Sequence, residues 1–204
     1  MMPETVKRKP TAPQYGAKVE RIFRTLLSRK IENMTWYRVA KEADVGYGWA
    51  HRVLKDLERD GLIRGPNVTD PKALFMRWAA RRDLRMYREY HVQDPVKVLK
   101  EARTEYALTG YFAENLVGHY LFPRSYELYV HERDAAKWHR LMARRGLVGR
   151  GNLQLNIADE HVFFETSKVE GWPVVSVQQL IVDLYRTGAE CAEAADLLVA
   201  RMYR

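Results

Sequence analysis

The sequence predicts an α+β chain, with a helical N-terminal half and a C-terminal mixed α/β domain holding a small sheet. Three observations lead there. Apolar residues recur at helical spacing through most of residues 15–90. The second half alternates helix-like stretches with short strand-like ones, such as Tyr126 to Val130 and Leu153 to Ile157. The charge divides between the same halves: residues 1–103 carry 23 basic and 13 acidic side chains, and residues 104–204 carry 11 and 13. A basic half joined to a near-neutral one suits a chain that meets a polyanion with one part and does something else with the other.

The elements follow in order. Residues 1–14 hold three prolines and Lys7-Arg8-Lys9, the composition of a flexible basic tail. Val19, Ile22, Phe23, Leu26 and Leu27 mark a helix from Tyr15 to about Lys30, with Lys18, Arg21, Arg24 and Arg29 on a wet basic face. Thr35 is an N-cap for a helix from Trp36 to Ala43, and another helix runs from Tyr47 to Arg59 until Gly61 stops it. Leu62 to Arg64 reads as a short strand and Gly65-Pro66-Asn67 as a turn. Asp70-Pro71 is a cap with proline at the first helical position, opening a helix expected to reach about Tyr90. Residues 91–103, with Asp94-Pro95, are the expected linker between a 15–90 domain and a 104–204 domain. Beyond it, helices are expected over Gly110–Gly118, Arg133–Arg144, Ser176–Arg186 and Glu190–Arg201. Strands are expected at Tyr126–Val130, Leu153–Ile157 and His161–Glu165.

The chemistry concentrates between Trp36 and Arg64. Ala40 and Ala50 are small enough for two helices to cross closely, Val45 plugs the corner, and Asp44-Val45-Gly46 makes a short turn. The pattern Val39-Ala40-x-x-Ala43-x-Val45-x-Tyr47-x-x-Ala50-x-Arg52-Val53 resembles the helix-turn-helix of bacterial repressors, with Asp44 where that pattern usually has glycine. Leu54-x-x-Leu57-Glu58-x-x-Gly61-Leu62-Ile63-Arg64 resembles the passage from recognition helix to wing in winged-helix proteins. The expected N-terminal domain is therefore a winged helix-turn-helix on double-stranded DNA. Its second helix would enter the major groove, with Tyr47, Trp49, His51, Arg52 and Lys55 as candidate contacts. Arg52 suits a two-pronged hydrogen bond to guanine. Thr35, Tyr37 and Arg64 complete the candidate set, at the first helix and the wing. Arg77, Arg81, Arg85 and Arg88, spaced by four, four and three, would form one stripe on the next helix for phosphate or an acidic partner.

In the second half, Tyr106 to Ala113, Pro123-Arg124, Glu127 to Val130, and the run Pro173 to Leu184 followed by Gly188 and Glu193-Ala194-Ala195 resemble the AbiEi family. Those are antitoxins of abortive-infection (type IV) toxin–antitoxin systems. The resemblance implies autorepression of the operon by the winged helix, and a C-terminal domain that counteracts a nucleotidyltransferase-type toxin without a tight complex. The alternatives are a stand-alone transcription factor whose C-terminal domain makes a homodimer, and a metal nuclease using Asp159, Glu160, Glu165 and Lys168. Glu165 and Lys168 are three apart, which on a strand sends them to opposite faces. Six scattered histidines, no Gly-rich phosphate loop and no nucleophile elbow leave no other catalytic pattern, so no enzyme activity, metal or cofactor is expected. In the candidate capping site, Thr109 opens the helix at Gly110; Gln179 and Asp183, four apart and next to Gln178, are expected on a solvent-facing edge. One cysteine, Cys191, and no apolar run of about 18 residues give the expectation of a cytoplasmic chain that meets no membrane.

Overall fold

The computed structural model describes residues 15–28, 33–80 and 85–203. The expected basic tail therefore lies outside the described residues. The first half opens with three helices: α1 (Tyr15–Leu26), α2 (Trp36–Glu42) and α3 (Tyr47–Arg59). Thr35 caps α2, its hydroxyl accepting the Arg38 N–H at 3.1 Å. Asp44 then takes φ +50, the left-handed turn that the repressor pattern assigns to glycine and that aspartate tolerates. A two-stranded hairpin follows, β1 (Ile63–Arg64) and β2 (Asn67–Val68), with Arg64 opposite Asn67. Its loop is Gly65, at φ +60, followed by Pro66, the order that a tight hairpin turn with glycine first requires. Asp70 caps α4 (Pro71–Ala79), its carboxylate accepting the Ala73 N–H.

The chain then departs from expectation. Instead of continuing α4 to Tyr90, residues Arg85–Val92 form strand β3, and Asp94-Pro95 repeats the Asp-Pro cap to open α5 (Pro95–Glu101). The expected linker thus contains the end of a strand and a helix. Next come β4 (Ala107–Thr109), α6 (Gly110–Val117), β5 (Tyr126–Val130), α7 (Ala135–Arg145), β6 (Gly146–Val148), β7 (Leu153–Ile157), β8 (Ser167–Val169), β9 (Trp172–Val174), α8 (Val177–Thr187) and α9 (Glu190–Met202). The expected strand at His161–Glu165 is a 3-10 turn over Glu160–Phe163, started by the Asp159 carboxylate on the His161 N–H.

The sheet is larger than the sequence suggested. Seven strands line up in the order β6-β3-β7-β5-β4-β9-β8, and β3 brings residues of the expected first domain into it. Pairs β5/β7 and β4/β9 are parallel and the rest antiparallel. Strands β6 and β7 flank β3 on opposite sides, so the chain crosses over β3 at residues 149–152. Gly151 makes that crossing feasible: a Cβ there would sit 2.2 Å from the Tyr90 carbonyl oxygen. The fold is mixed α/β with one small and one large sheet, and a continuous apolar core runs from Ile22 and Leu54 through Trp78 and Tyr90 to Leu128, Leu180 and Leu198.

Candidate nucleic-acid interface

Helix α3 divides cleanly. Ala50, Leu54 and Leu57 are buried, while Gly48, Arg52, Lys55 and Arg59 are exposed at steps of four, three and four. Those steps put three cations along one outer stripe. Arg52 has no hydrogen bond or ion pair among the described residues. Lys55 lies 3.6 Å from Glu58 and 5.4 Å from the Trp36 ring, and Arg59 pairs with Asp56 at 2.9 Å. Gly46 stands at the N-cap without a side chain to bond the first amides, and space around Gly48 is open.

Aromatic rings flank the stripe. Tyr37 is 68% exposed and Tyr47 48%. Their centroids are 6.2 Å apart, Tyr47 is 5.9 Å from His51, and His51 meets Trp36 edge-on at 5.0 Å. Trp36 and Trp49 pack against the core. Of the predicted residues, Tyr37, Tyr47, His51, Arg52 and Lys55 share this face. Trp49 is half-buried beside it, Thr35 has its hydroxyl engaged as the cap, and Arg64 is exposed on the hairpin. Sequence reasoning missed Trp36, Gly48 and Arg59. The steps from Arg52 to Gly48, Lys55 and Arg59 were the signal for the last two.

The arginine stripe does not form. It needed one helix through residue 88, but Arg77 is on α4 and Arg88 on β3. Arg77 bonds the Asp60 carboxylate at the end of α3, which holds that acid below its usual range. Arg88 stands 3.4 Å from His139. Arg81 lies outside the described residues, as does the Arg85 side chain.

Of the basic face expected on α1, Arg24 and Arg21 turn inward, Lys18 is exposed, and Arg29 lies outside the described residues. Arg24 is 2% exposed; its Nε and Nη2 donate to Gln179 Oε1 at 3.0 and 2.6 Å, and its Nη1 to His161 Nδ1 at 3.0 Å. His161 Nε2 then donates to the Glu42 carbonyl at the end of α2, at 2.9 Å. Burial holds the imidazole down at about 4, so it stays neutral and plays both roles. Arg21 grips Asp159 with two bonds of 2.7 Å and reaches Asp44 in the α2–α3 turn at 2.8 Å. The helix pair that carries the exposed stripe is thus held to α8 and the turn after β7, through α1 and directly through His161.

Gln178, Gln179 and Asp183, expected at a solvent edge, are buried on α8. Asp183 accepts from Thr109 at 2.7 Å, Gln179 at 2.8 Å and Tyr129 at 3.1 Å. Burial pushes its carboxyl up to about 6 against the pull of Arg186. Thr109 therefore spends its hydroxyl on Asp183 rather than capping α6. Three members of the nuclease set are engaged with other partners: Asp159 holds Arg21, Glu160 meets His131 at 2.5 Å, and Glu165 takes the Ser28 hydroxyl. Among the described residues, no group of three His, Cys, Asp or Glu is placed to hold a metal ion, and no helix is long and apolar enough to cross a membrane. No family model matches the chain, and neither a curated protein nor a solved structure matches it.

Proposed function

We propose that this protein is a transcription regulator that binds double-stranded DNA with a winged helix-turn-helix, in the manner of the AbiEi antitoxins that its sequence resembles. The observation that carries the reading is α3: Ala50, Leu54 and Leu57 are buried on its inner face, while Gly48, Arg52, Lys55 and Arg59 face outward with no carboxylate on Arg52. A major groove about 12 Å wide admits one helix in this orientation. The uncapped start of α3 leaves amides for a phosphate, and the β1/β2 hairpin with exposed Arg64 stands as the wing. On this reading the large sheet and its helices form the part that counteracts a nucleotidyltransferase-type toxin.

The test is a mobility-shift titration on the DNA upstream of the gene, at several salt concentrations. Arg52→Ala is expected to weaken specific binding by about 1–3 kcal/mol and to relax base preference at one position. Unchanged specific binding in that variant removes α3 from the groove. Co-expression with a nucleotidyltransferase-type toxin encoded beside the gene tests the antitoxin half: growth rescue that survives Arg52→Ala separates the two activities.

A further inference from the structure

We propose that the paired rings of Tyr37 and Tyr47 read the C5-methyl group of a pyrimidine, thymine or 5-methylcytosine, in the major groove. The inference rests on the DNA reading above and names what part of the duplex this face selects.

The rings are conspicuous because the fold does not need them. Tyr37 is the second residue of α2 and Tyr47 the first of α3, positions in the first helical turn that ask for no aromatic. Both remain largely in solvent, and neither phenol hydroxyl has a partner among the described residues. They are held in place all the same. Tyr37 leans on Tyr47 with 47° between planes, Tyr47 on His51 with 53°, and His51 on Trp36 with 71°; Trp36 is seated against the core. A ladder of four rings anchored at one end is a preformed apolar surface, with little side-chain freedom left to lose on binding.

The groove offers such a surface a single kind of match. Base edges there present hydrogen-bond donors and acceptors, and the only apolar group is the methyl at pyrimidine C5. Arg52 and Lys55, one and two turns along α3 from Gly48, are placed for the polar edges and phosphates on the same approach. The rings stand at the leading end of that helix, where side chains reach deepest. Removing one buried methyl is expected to cost about three- to fivefold in affinity.

The experiment starts with duplexes selected by the full-length protein from a random library. The best duplex is then remade with deoxyuridine for thymine, one position at a time. Wild-type protein should lose about three- to fivefold at one or two positions and nothing elsewhere. Tyr47→Ala should bind the thymine duplex more weakly and make no distinction between thymine and deoxyuridine, while Tyr47→Phe should keep the distinction. Placing cytosine or 5-methylcytosine at the sensitive position separates the sources. A gain with methylcytosine means that the methyl is read on either base, and a gain with thymine alone limits the readout to thymine. Arg52-dependent duplex binding that is indifferent to every methyl overturns the proposal and leaves the DNA reading standing. Single strands bound as tightly as the duplex overturn it too, since the rings would then stack on unpaired bases. A protein that selects no duplex takes down both readings.

Discussion

Arg24 carries a guanidinium into the interior and hydrogen-bonds an amide oxygen and an imidazole nitrogen, beside the Trp78 ring at 5.2 Å, with the carboxylates of Glu20, Asp159 and Asp183 supporting its charge from further away. Burial lowers its pKa, but an arginine starts so high that the charge persists. Truncating it leaves the buried Gln179 Oε1 and the part-buried His161 Nδ1 without their donor. Arg24→Ala is therefore expected to destabilise the fold by about 2–4 kcal/mol, measured by urea unfolding. Lys18→Ala, on the exposed side of the same helix, is expected to stay within about 0.5 kcal/mol. Equal effects would mean that Arg24 does not hold α1 to the sheet. The sequence marked both residues as one basic face. Charge alone does not distinguish a solvated cation from a bonded one, and Gln179, which settles the matter, lies 155 residues away.

At the scale of elements, the sequence is read well where apolar spacing or a cap decides, and badly where charged residues were counted. Helices α2, α3, α8 and α9 and strands β5 and β7 are legible from apolar period, with Thr35 and Gly61 marking the start of α2 and the end of α3. Strand β3 was not. Its arginines happen to fall at helical steps, whereas among its described side chains the buried ones are Tyr90 and Val92, beyond an irregularity in pairing between Met86 and Arg88. Of the candidate interface, the face on α3 was legible because it stays within a few turns of one helix. The polar layer under it joins α1, α8 and the turn after β7, and no local pattern reports such a meeting. Two glycines give opposite predictions. Gly48→Ala should stabilise α3 by up to about 1 kcal/mol, since alanine suits a helix better and nothing stands within 4 Å. The same methyl should weaken DNA binding if the backbone there meets the duplex. Gly151→Ala should cost about 1–3 kcal/mol, because its methyl would press on the Tyr90 backbone where the chain crosses β3. Thermal melts of the two variants, alone and with DNA, check both signs.

For the whole molecule, the seam between α1 and the large sheet contains two groups that titrate in opposite senses. Asp183 is raised to about 6 from an ordinary 3.8 by burial, with Tyr129, Thr109, Gln179 and Arg186 around it. The folded chain holds that proton more tightly than the unfolded chain, so its contribution is complete below about 3.8 and is lost as pH rises through about 6. His161 is lowered to about 4 from 6.5, facing Arg24, Arg21, Asp159 and the Glu42 carbonyl. Its contribution is complete above about 6.5 and is lost as pH falls through about 4. Between about 4 and 6 the two slopes oppose each other, each limited to about 1.4 kcal/mol per pH unit. Wild-type stability should therefore change little across that window through these two groups. His161→Gln keeps an acceptor for Arg24 and a donor for Glu42 while removing the titration, so its stability should fall as pH rises from 4 to 6. Asp183→Asn leaves His161 alone, so its stability should climb over the same range and on to about 6.5. Urea unfolding of the three proteins at half-unit pH intervals reads the slopes directly. Parallel profiles for both variants and wild type would mean that neither proton is coupled to folding. The rising slope in Asp183→Asn would show that the contact between the two halves is part of the cooperative unit, because the group left to titrate there is His161, which bonds Arg24 on α1 and the Glu42 carbonyl on α2, and global unfolding is what the denaturant measures.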